Sequence, residues 1–498
     1  MALLEIKNLS FSYPNSKNNV LKNINLTVNE GEFCVLIGKS GSGKSTLLKL
    51  LKKEIAPYGN LNGEILFSSE KIGFVNQNVE SNIVTDTVLG ELSFAPQNYG
   101  KSRDEINLKV AEVSNYFNLN NYIGEKIENL SGGSKQIISL ASVMTMSPNI
   151  LLLDEPASQL DPVSAENFVN TVIKLNKEQG ITVIISEHNI ANVLPFADKI
   201  IVLENGSVSF CGTPLETAKF LVESDSEIKD VLPPYTFLTE DREIYFSNAK
   251  KFADKIKEKS AEPYVKGKKS LVAKNISFAY KKGLKDVFFS LDYSAEKGKI
   301  NAIIGANGSG KTTLLKCLSN VLKCYSGKIK AKGKTAYLPQ NVQTLFLKDT
   351  VLEEVPDKNI LKKFDLDKYE EQSPFDLSGG EAQRLALAKV ISLNADIILF
   401  DEPTKSIDVV FKNDFANMLK EFAESGKTII IVTHDLEFAG KYSDVVSFLF
   451  DGKIIASAPR REFFSSLDVY TTSLSRLTNG RVVSLSDVEV TKWKKVLK

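Results

Sequence analysis

Two stretches of the chain place glycines, a lysine and a hydroxyl at one spacing, Gly-x4-Gly-Lys-Ser/Thr. The first is Gly38, Lys39, Ser40, Gly41, Ser42, Gly43, Lys44, Ser45 and Thr46; the second is Gly305, Ala306, Asn307, Gly308, Ser309, Gly310, Lys311, Thr312 and Thr313. Glycines let a backbone wrap around an anion, so that its N–H groups and the start of the following helix face phosphate oxygens. Lys44 and Lys311 then reach the β- and γ-phosphates, and Ser45 and Thr312 ligate magnesium. Average residue frequencies give about 0.02 chance matches in a chain this long. Two matches, each between an apolar run and a helical pattern, are not coincidence.

Acidic partners follow. Asp154-Glu155 and Asp401-Glu402 each end an apolar run. In such a pair the first carboxylate holds Mg²⁺ and the second polarises the attacking water. The chain has only two histidines, His188 and His434, spaced from the aspartates by nearly the same distance (188 − 154 = 34 and 434 − 401 = 33). Both histidines are thus spent at equivalent positions, where they can contact a γ-phosphate.

These groups need rigid elements, and the elements recur. FSYP at 11–14 is answered by FAYK at 278–281, QNVESNIVTDTVLGEL from Gln77 by QNVQTLFLKDTVLEEV from Gln340, and LSGGSKQ from Leu130 by LSGGEAQ from Leu377. The repeat offset falls from 263 at the glutamines (340 − 77) to 247 at the serines (378 − 131), so the second half is shorter there by 16 residues (263 − 247). Phe33 to Ile37 and Ile300 to Ile304 read as buried parallel strands entering the glycine loops. Leu47, Leu48, Leu51 and Ile55, and then Leu314, Leu315, Leu318 and Leu322, lie at helical spacing after them. The expectation is α/β: two tandem domains, each a mostly parallel sheet with flanking helices plus a helical subdomain. The boundaries expected are 1–225, a linker at 226–268, 269–465 and a tail at 466–498. Pro233-Pro234 marks a break, and the Lys/Glu-rich stretch around Phe252 to Lys259 reads as a solvated linker helix.

Composition narrows the class. Lys plus Arg number 62 against 61 Asp plus Glu, so no basic field argues for nucleic acid. Cys34, Cys211, Cys317 and Cys324 make no CxxC pair and have no histidines at ligand spacing, which argues against zinc or a disulfide framework and fits a reducing cytosol. The first residues, MALLEIKNLSFSYP, do not read as a secretory signal, and no apolar run approaches the roughly 18 to 20 residues of a membrane span.

LSGGSKQ and LSGGEAQ resemble the signature motif of the ATP-binding-cassette (ABC) family, and the resemblance covers nearly the whole chain. It implies an ATP hydrolase using ATP and Mg²⁺. It places Tyr13 and Tyr280 at the adenine-stacking position, Gln77 and Gln340 at the magnesium- and water-contacting glutamine, and Asp161 and Asp408 at the aspartate of the loop that crosses the dimer interface. A Ser-Gly-Gly turn opening a helix presents N–H donors to an anion. In the family that anion is the nucleotide of the opposite domain. Lys44, Asp154, Glu155 and His188 would then work with Ser378, Gly379 and Gly380, and Lys311, Asp401, Glu402 and His434 with Ser131, Gly132 and Gly133. Both sites keep their motifs, and the two halves would dimerise within the chain. The arginine that often follows the signature is Arg384 in the second half and Ile137 in the first.

Within the family, NQNVESNIVTDTVLGELSFAPQNYG resembles the matching stretch of energy-coupling factor (ECF) transporter ATPases. That resemblance implies an importer ATPase on the cytoplasmic face of the membrane. It would drive a transmembrane coupling subunit and, through it, a membrane substrate-binding subunit for a vitamin or metal ion. Fused sugar-importer ATPases and soluble ABC translation factors are the alternatives. The former usually alter the second phosphate loop, and the latter carry a longer charged interdomain helical pair.

Overall fold

The computed structural model describes residues 2–14, 18–68, 71–79, 82–158, 160–188, 190–239, 241–260, 263–281, 283–405 and 407–489. The chain divides into two compact units, Met1–Thr236 with Asp241–Tyr245, and Phe237–Glu240 with Phe246–Lys498.

The first unit contains β1 (Ala2–Ser12), β2 (Leu21–Asn29), β3 (Phe33–Ile37), β4 (Asn60–Phe67), β5 (Ile72–Val75), β6 (Ile150–Asp154), β7 (Thr182–Ser186), β8 (Lys199–Glu204) and β9 (Ser207–Gly212). Its helices are α1 (Lys44–Leu50), α2 (Val88–Asn98), α3 (Arg103–Tyr116), α4 (Gly132–Met144), α5 (Pro162–Gln179) and α6 (Pro214–Glu223). The main sheet runs β5-β6-β7-β3-β8-β9, parallel except for β9. Strands β3, β6 and β7 are buried at every position, as apolar strands can be only in a sheet covered on both faces. A three-stranded antiparallel sheet, β2-β1-β4, shares a core with α1 and the main sheet.

The second unit repeats this order. Its strands are β10 (Lys269–Phe278), β11 (Phe288–Glu296), β12 (Ile300–Ile304), β13 (Ser326–Ala331), β14 (Thr335–Leu338), β15 (Ile397–Asp401), β16 (Thr428–Val432), β17 (Val445–Phe450) and β18 (Lys453–Pro459). Its helices are α7 (Phe246–Ala249), α8 (Lys311–Leu318), α9 (Val351–Glu354), α10 (Lys358–Lys363), α11 (Gly379–Ser392), α12 (Val409–Glu424), α13 (Leu436–Tyr442), α14 (Arg460–Ser465) and α15 (Ser473–Leu477). The sheets are β14-β15-β16-β12-β17-β18 and β11-β10-β13. The internal repeat is therefore a repeat of topology, and the shortening has an address. Helices α2 and α3, with 11 and 14 residues, are answered by α9 and α10 with 4 and 6.

Two sequence expectations change. The loop helices are shorter than their leucine spacing suggested: Ile55 lies in a separate 3-10 turn, and Asn320, at φ 63°, turns the chain before Leu322. The 252–259 stretch is not a solvated helix. A 3-10 segment covers Lys250–Lys255, and Ala249, Ala253 and Ile256 are buried. Glu258 bridges to Val488 in an antiparallel sense, and the Arg481 guanidinium donates to the carbonyls of Ala253 (2.9 Å) and Ile256 (3.2 Å). Charged residues outnumber apolar ones here, yet three apolar side chains and a few backbone bonds decide the packing. Residues 261–262 and 490–498, within the expected linker and tail, lie outside the described residues. Among the described residues no helix is long and apolar enough to cross a membrane.

Candidate nucleotide sites

Each phosphate loop joins the end of a central strand, β3 or β12, to the start of α1 or α8. Gly43 and Gly310 cap these helices at φ 100° and 99°, where an L side chain would be strained. A Cβ there would also meet Leu21 Cδ2 at 2.7 Å or Val287 Cγ1 at 2.9 Å. The buried Lys44 ammonium donates to the carbonyls of Gly38 (2.9 Å) and Lys39 (3.1 Å); Lys311 does the same to Gly305 (2.8 Å) and Ala306 (2.9 Å). Both lysines thus brace their own loops. Ser42 Oγ and Ser309 Oγ are buried with no hydrogen-bond partner among the described residues, as hydroxyls suited to an incoming anion would be. Where the first loop has Lys39, paired with the Glu227 carboxylate, the second has Ala306, which cannot make that pair.

The candidate donors for magnesium lie together in both units. Ser45 Oγ donates to Asp154 Oδ1 at 2.9 Å, and Thr312 Oγ1 to Asp401 Oδ1 at 3.1 Å. No group of three His, Cys, Asp or Glu among the described residues could hold a metal by itself. One carboxylate and one hydroxyl, completed by phosphate oxygens and water, match the way Mg²⁺ is bound with nucleotides. Burial raises the pKa of Asp154, and it pushes Asp401 up to about 6 against the Thr312 hydroxyl bond. Such carboxylates gain from a cation.

Glu155 and Glu402 follow at φ 46° and 52°, left-handed backbone that costs a non-glycine residue on the order of 1–3 kcal/mol. Strain of this kind at the same residue in both repeats marks a functional constraint. His188 Nε2 lies 2.7 Å from Glu155 Oε1, and His434 Nδ1 lies 2.9 Å from Glu402 Oε2. Gln77 Nε2 donates to Glu155 Oε2 at 2.9 Å, whereas Gln340 is exposed. A carboxylate oriented by a histidine and set beside a magnesium ligand can accept a proton from water attacking a phosphoryl group.

Sequence reasoning missed two neighbours of these carboxylates. Glu187, before His188, is buried and accepts from the backbone N–H groups of Ala157 (3.2 Å) and His188; burial and the adjacent Glu155 charge still push its pKa up to about 8. The second unit has Thr433 there and, four residues after Asp401, a half-buried Lys405 whose pKa burial lowers. Their types were visible in the sequence, but their burial was not. The folded chain keeps the Glu187 proton from the ordinary value of 4.5 up to about 8, while the unfolded chain releases it, so stability falls as pH rises through that window. Glu187→Gln carries no such charge. It is expected to raise the melting temperature of the nucleotide-free protein at about pH 8 and to change it little near pH 5. A gain that does not grow with pH would remove this role.

Tyr13 and Tyr280 stand edge-on against Phe11 and Phe278, with ring centroids 5.1 Å apart in both cases. Their hydroxyls meet Thr46 Oγ1 (3.0 Å) and Thr313 Oγ1 (2.9 Å), while 39% and 58% exposure leaves ring surface for a base to stack on. Ser131 caps α4 by accepting from Ser134 N at 3.2 Å. Ser378 caps α11, but its N–H and Oγ both donate to Glu381, at 2.9 and 2.7 Å. Gly133 is required for packing, since a Cβ would lie 2.8 Å from Ser164 Oγ; Gly380 sits in the first turn of α11. Asp161 and Asp408 cap α5 and α12, accepting from Ser164 N (3.1 Å) and Phe411 N (2.9 Å). Arg384 lies over the Phe411 ring at 5.5 Å, a packing contact that Ile137 cannot make as a cation.

Strand, phosphate loop, helix, strand-end aspartate and the glutamate after it, built twice, define a class of tandem phosphoryl-transfer ATPases. The profile of the ABC transporter family matches residues 21–158 and 288–405. A protein of Bacillus anthracis described as an ABC transporter ATP-binding protein is 36% identical, covering 96% of this chain and 95% of that one. One of Clostridium tetani with the same description is 31% identical, covering 82% and 99%. The crystal structure of the archaeal ribosome recycling factor aABCE1, in complex with the ribosomal stalk protein aP1, superposes with a TM-score of 0.64 at 22% identity, covering 92% of this chain and 91% of that chain; that likeness shows the fold alone. The chain belongs to the ABC transporter family and is an ATP hydrolase with two nucleotide-binding domains, using ATP and Mg²⁺.

Proposed function

We propose that the chain is the energy-coupling ATPase of an importer of the ECF type for a vitamin or metal ion. It would act at the cytoplasmic face on a separate transmembrane coupling subunit and, through that, on a membrane substrate-binding subunit. In this reading 1–225 and 269–465 are the two motor domains, 226–268 joins them and 466–498 is a tail. ATP is bound at two crossed sites, Lys44, Asp154, Glu155 and His188 facing Ser378 to Gly380, and Lys311, Asp401, Glu402 and His434 facing Ser131 to Gly133.

The observation that supports docking is a braced apolar platform after each glutamine. Buried Glu91 accepts from Val84 N (3.0 Å), Thr85 N (3.0 Å) and Thr85 Oγ1 (3.1 Å), and leaves the Val84 side chain 62% exposed. Glu354 likewise accepts from Leu347 N and Lys348 N and leaves Leu347 83% exposed. Leu345, two residues earlier, is instead half-buried against the core. A buried carboxylate that fixes an exposed apolar side chain at matching places in both units, in the second with Lys389 as its ion-pair partner, fits a surface that a partner covers.

The chain is expected to sediment with membranes only when its transmembrane partners are co-expressed. Val84→Asp with Leu347→Asp is expected to abolish that and to leave basal ATP hydrolysis unchanged. Membrane association of the chain alone, or recovery of ribosomal RNA with the tagged chain in place of membrane proteins, would count against this reading.

A further inference from the structure

Asp154 and Asp401 each end a strand held between two parallel neighbours, and the neighbours differ. In the first unit Asp154 pairs in register with Ser186 of β7, and Ser186 Oγ donates to Asp154 Oδ1 at 2.9 Å. The partner of Asp401 on β16 is Val432, whose side chain donates nothing. The second hydroxyl comes from the opposite flank. Tyr337 on β14 pairs with Leu399, two residues before Asp401 and so on the same face of the sheet. Its hydroxyl lies 3.3 Å from Asp401 Oδ2. The residue at the equivalent register in the first unit, opposite Leu152, is Phe74.

Ser186 with Phe74 has thus been exchanged for Val432 with Tyr337. Each aspartate keeps two hydroxyl donors, one from its loop helix and one from a neighbouring strand. A carboxylate with 3% or 0% exposure can swing between rotamers or take up a proton unless neutral donors fix it in its ionised form. Magnesium demands near-ideal octahedral geometry, so a fixed carboxylate matters to it more than to a looser cation.

We propose that Ser186 and Tyr337 are interchangeable positioning residues, each orienting the magnesium aspartate of its own unit from opposite sides of the strand. The inference rests on the reading that Asp154 and Asp401 hold the ion.

The test measures binding of a fluorescent ATP analogue against Mg²⁺ concentration, one site at a time, with Lys311→Ala silencing the second site or Lys44→Ala the first. Ser186→Val is expected to raise the Mg²⁺ concentration for half-maximal binding about 10-fold, the lower end of the effect of outer-shell partners. Adding Phe74→Tyr is expected to restore most of it. In the second unit, Tyr337→Phe is expected to weaken the Mg²⁺ dependence and Val432→Ser to rescue it. Each substitution installs the residue found at the matching place in the other repeat, so folding is expected to persist. Single variants with unchanged Mg²⁺ half-points would overturn the proposal, as would a loss that the second substitution does not repair. Asp154→Asn in the same background separates the two failures: if it too leaves the Mg²⁺ dependence intact, the magnesium reading itself is wrong.

Discussion

Replacing Glu155 and Glu402 together by glutamine is expected to lower ATP turnover by about 10²- to 10⁴-fold, the range for a positioned general base, with ATP binding retained. Glutamine has the shape of the side chain it replaces and can keep a hydrogen bond to His188 Nε2 or His434 Nδ1, but it cannot accept the proton of an attacking water. The loop, its lysine and the aspartates Asp154 and Asp401 are untouched, so the doubly substituted protein should hold ATP and accumulate in the closed state. The left-handed backbone at both positions sharpens the test, because neither glutamate nor glutamine relieves that strain. Any loss therefore belongs to the carboxylate rather than to refolding of the turn. Phosphate release and retention of radiolabelled ATP on the same preparation measure the two halves of the claim. Turnover near the parent rate would defeat the assignment.

The second large effect concerns which residues share a nucleotide. Donors preorganised toward developing phosphoryl charge are worth about 10²- to 10³-fold in rate. Ser131→Arg places a bulky cation at the start of α4, and Lys311→Ala removes the ammonium of the second loop. If these belong to one site, the double variant loses little beyond the worse single change, since residues acting as a unit are non-additive. Ser131→Arg with Lys44→Ala instead damages both sites and should abolish the remaining activity. ATPase rates of the two double variants at equal ATP concentration decide the matter. If Ser131 and Lys44 behave as the single lesion, each unit serves its own nucleotide.

Much of this protein was readable because its chemistry is written in short contiguous motifs. Lys44, Ser45 and the loop glycines are neighbours in sequence, and the strand before and the helix after them follow from apolar runs of the right length. The Asp-Glu pairs and the two histidines were legible because the chain repeats itself and each copy checks the other. What escaped was set by register between distant strands. No pattern in the sequence says that residue 337 lies beside residue 399, or that residue 186 lies beside residue 154, so the exchanged hydroxyls at the aspartates were invisible. The burial of Glu187 was hidden for the same reason, since a lone acid before a histidine reads as polar surface. At 252–259 composition misled: the lysines and glutamates suggested a solvated helix, while Ala253, Ile256 and the distant Arg481 tie the segment to the C-terminal part of the chain.

The unequal helical arms, α2 and α3 against the stunted α9 and α10, make the chain a keyed part. A motor with two identical arms can be seated on a two-socket partner in either of two orientations and can also pair with the wrong copy. One long handle and one short handle leave a single seating, and covalent fusion fixes the ratio of long to short at one to one. On the importer reading proposed above, a membrane partner that gripped both arms would have to offer two unlike sockets, and so would itself lack two-fold symmetry where it met this chain.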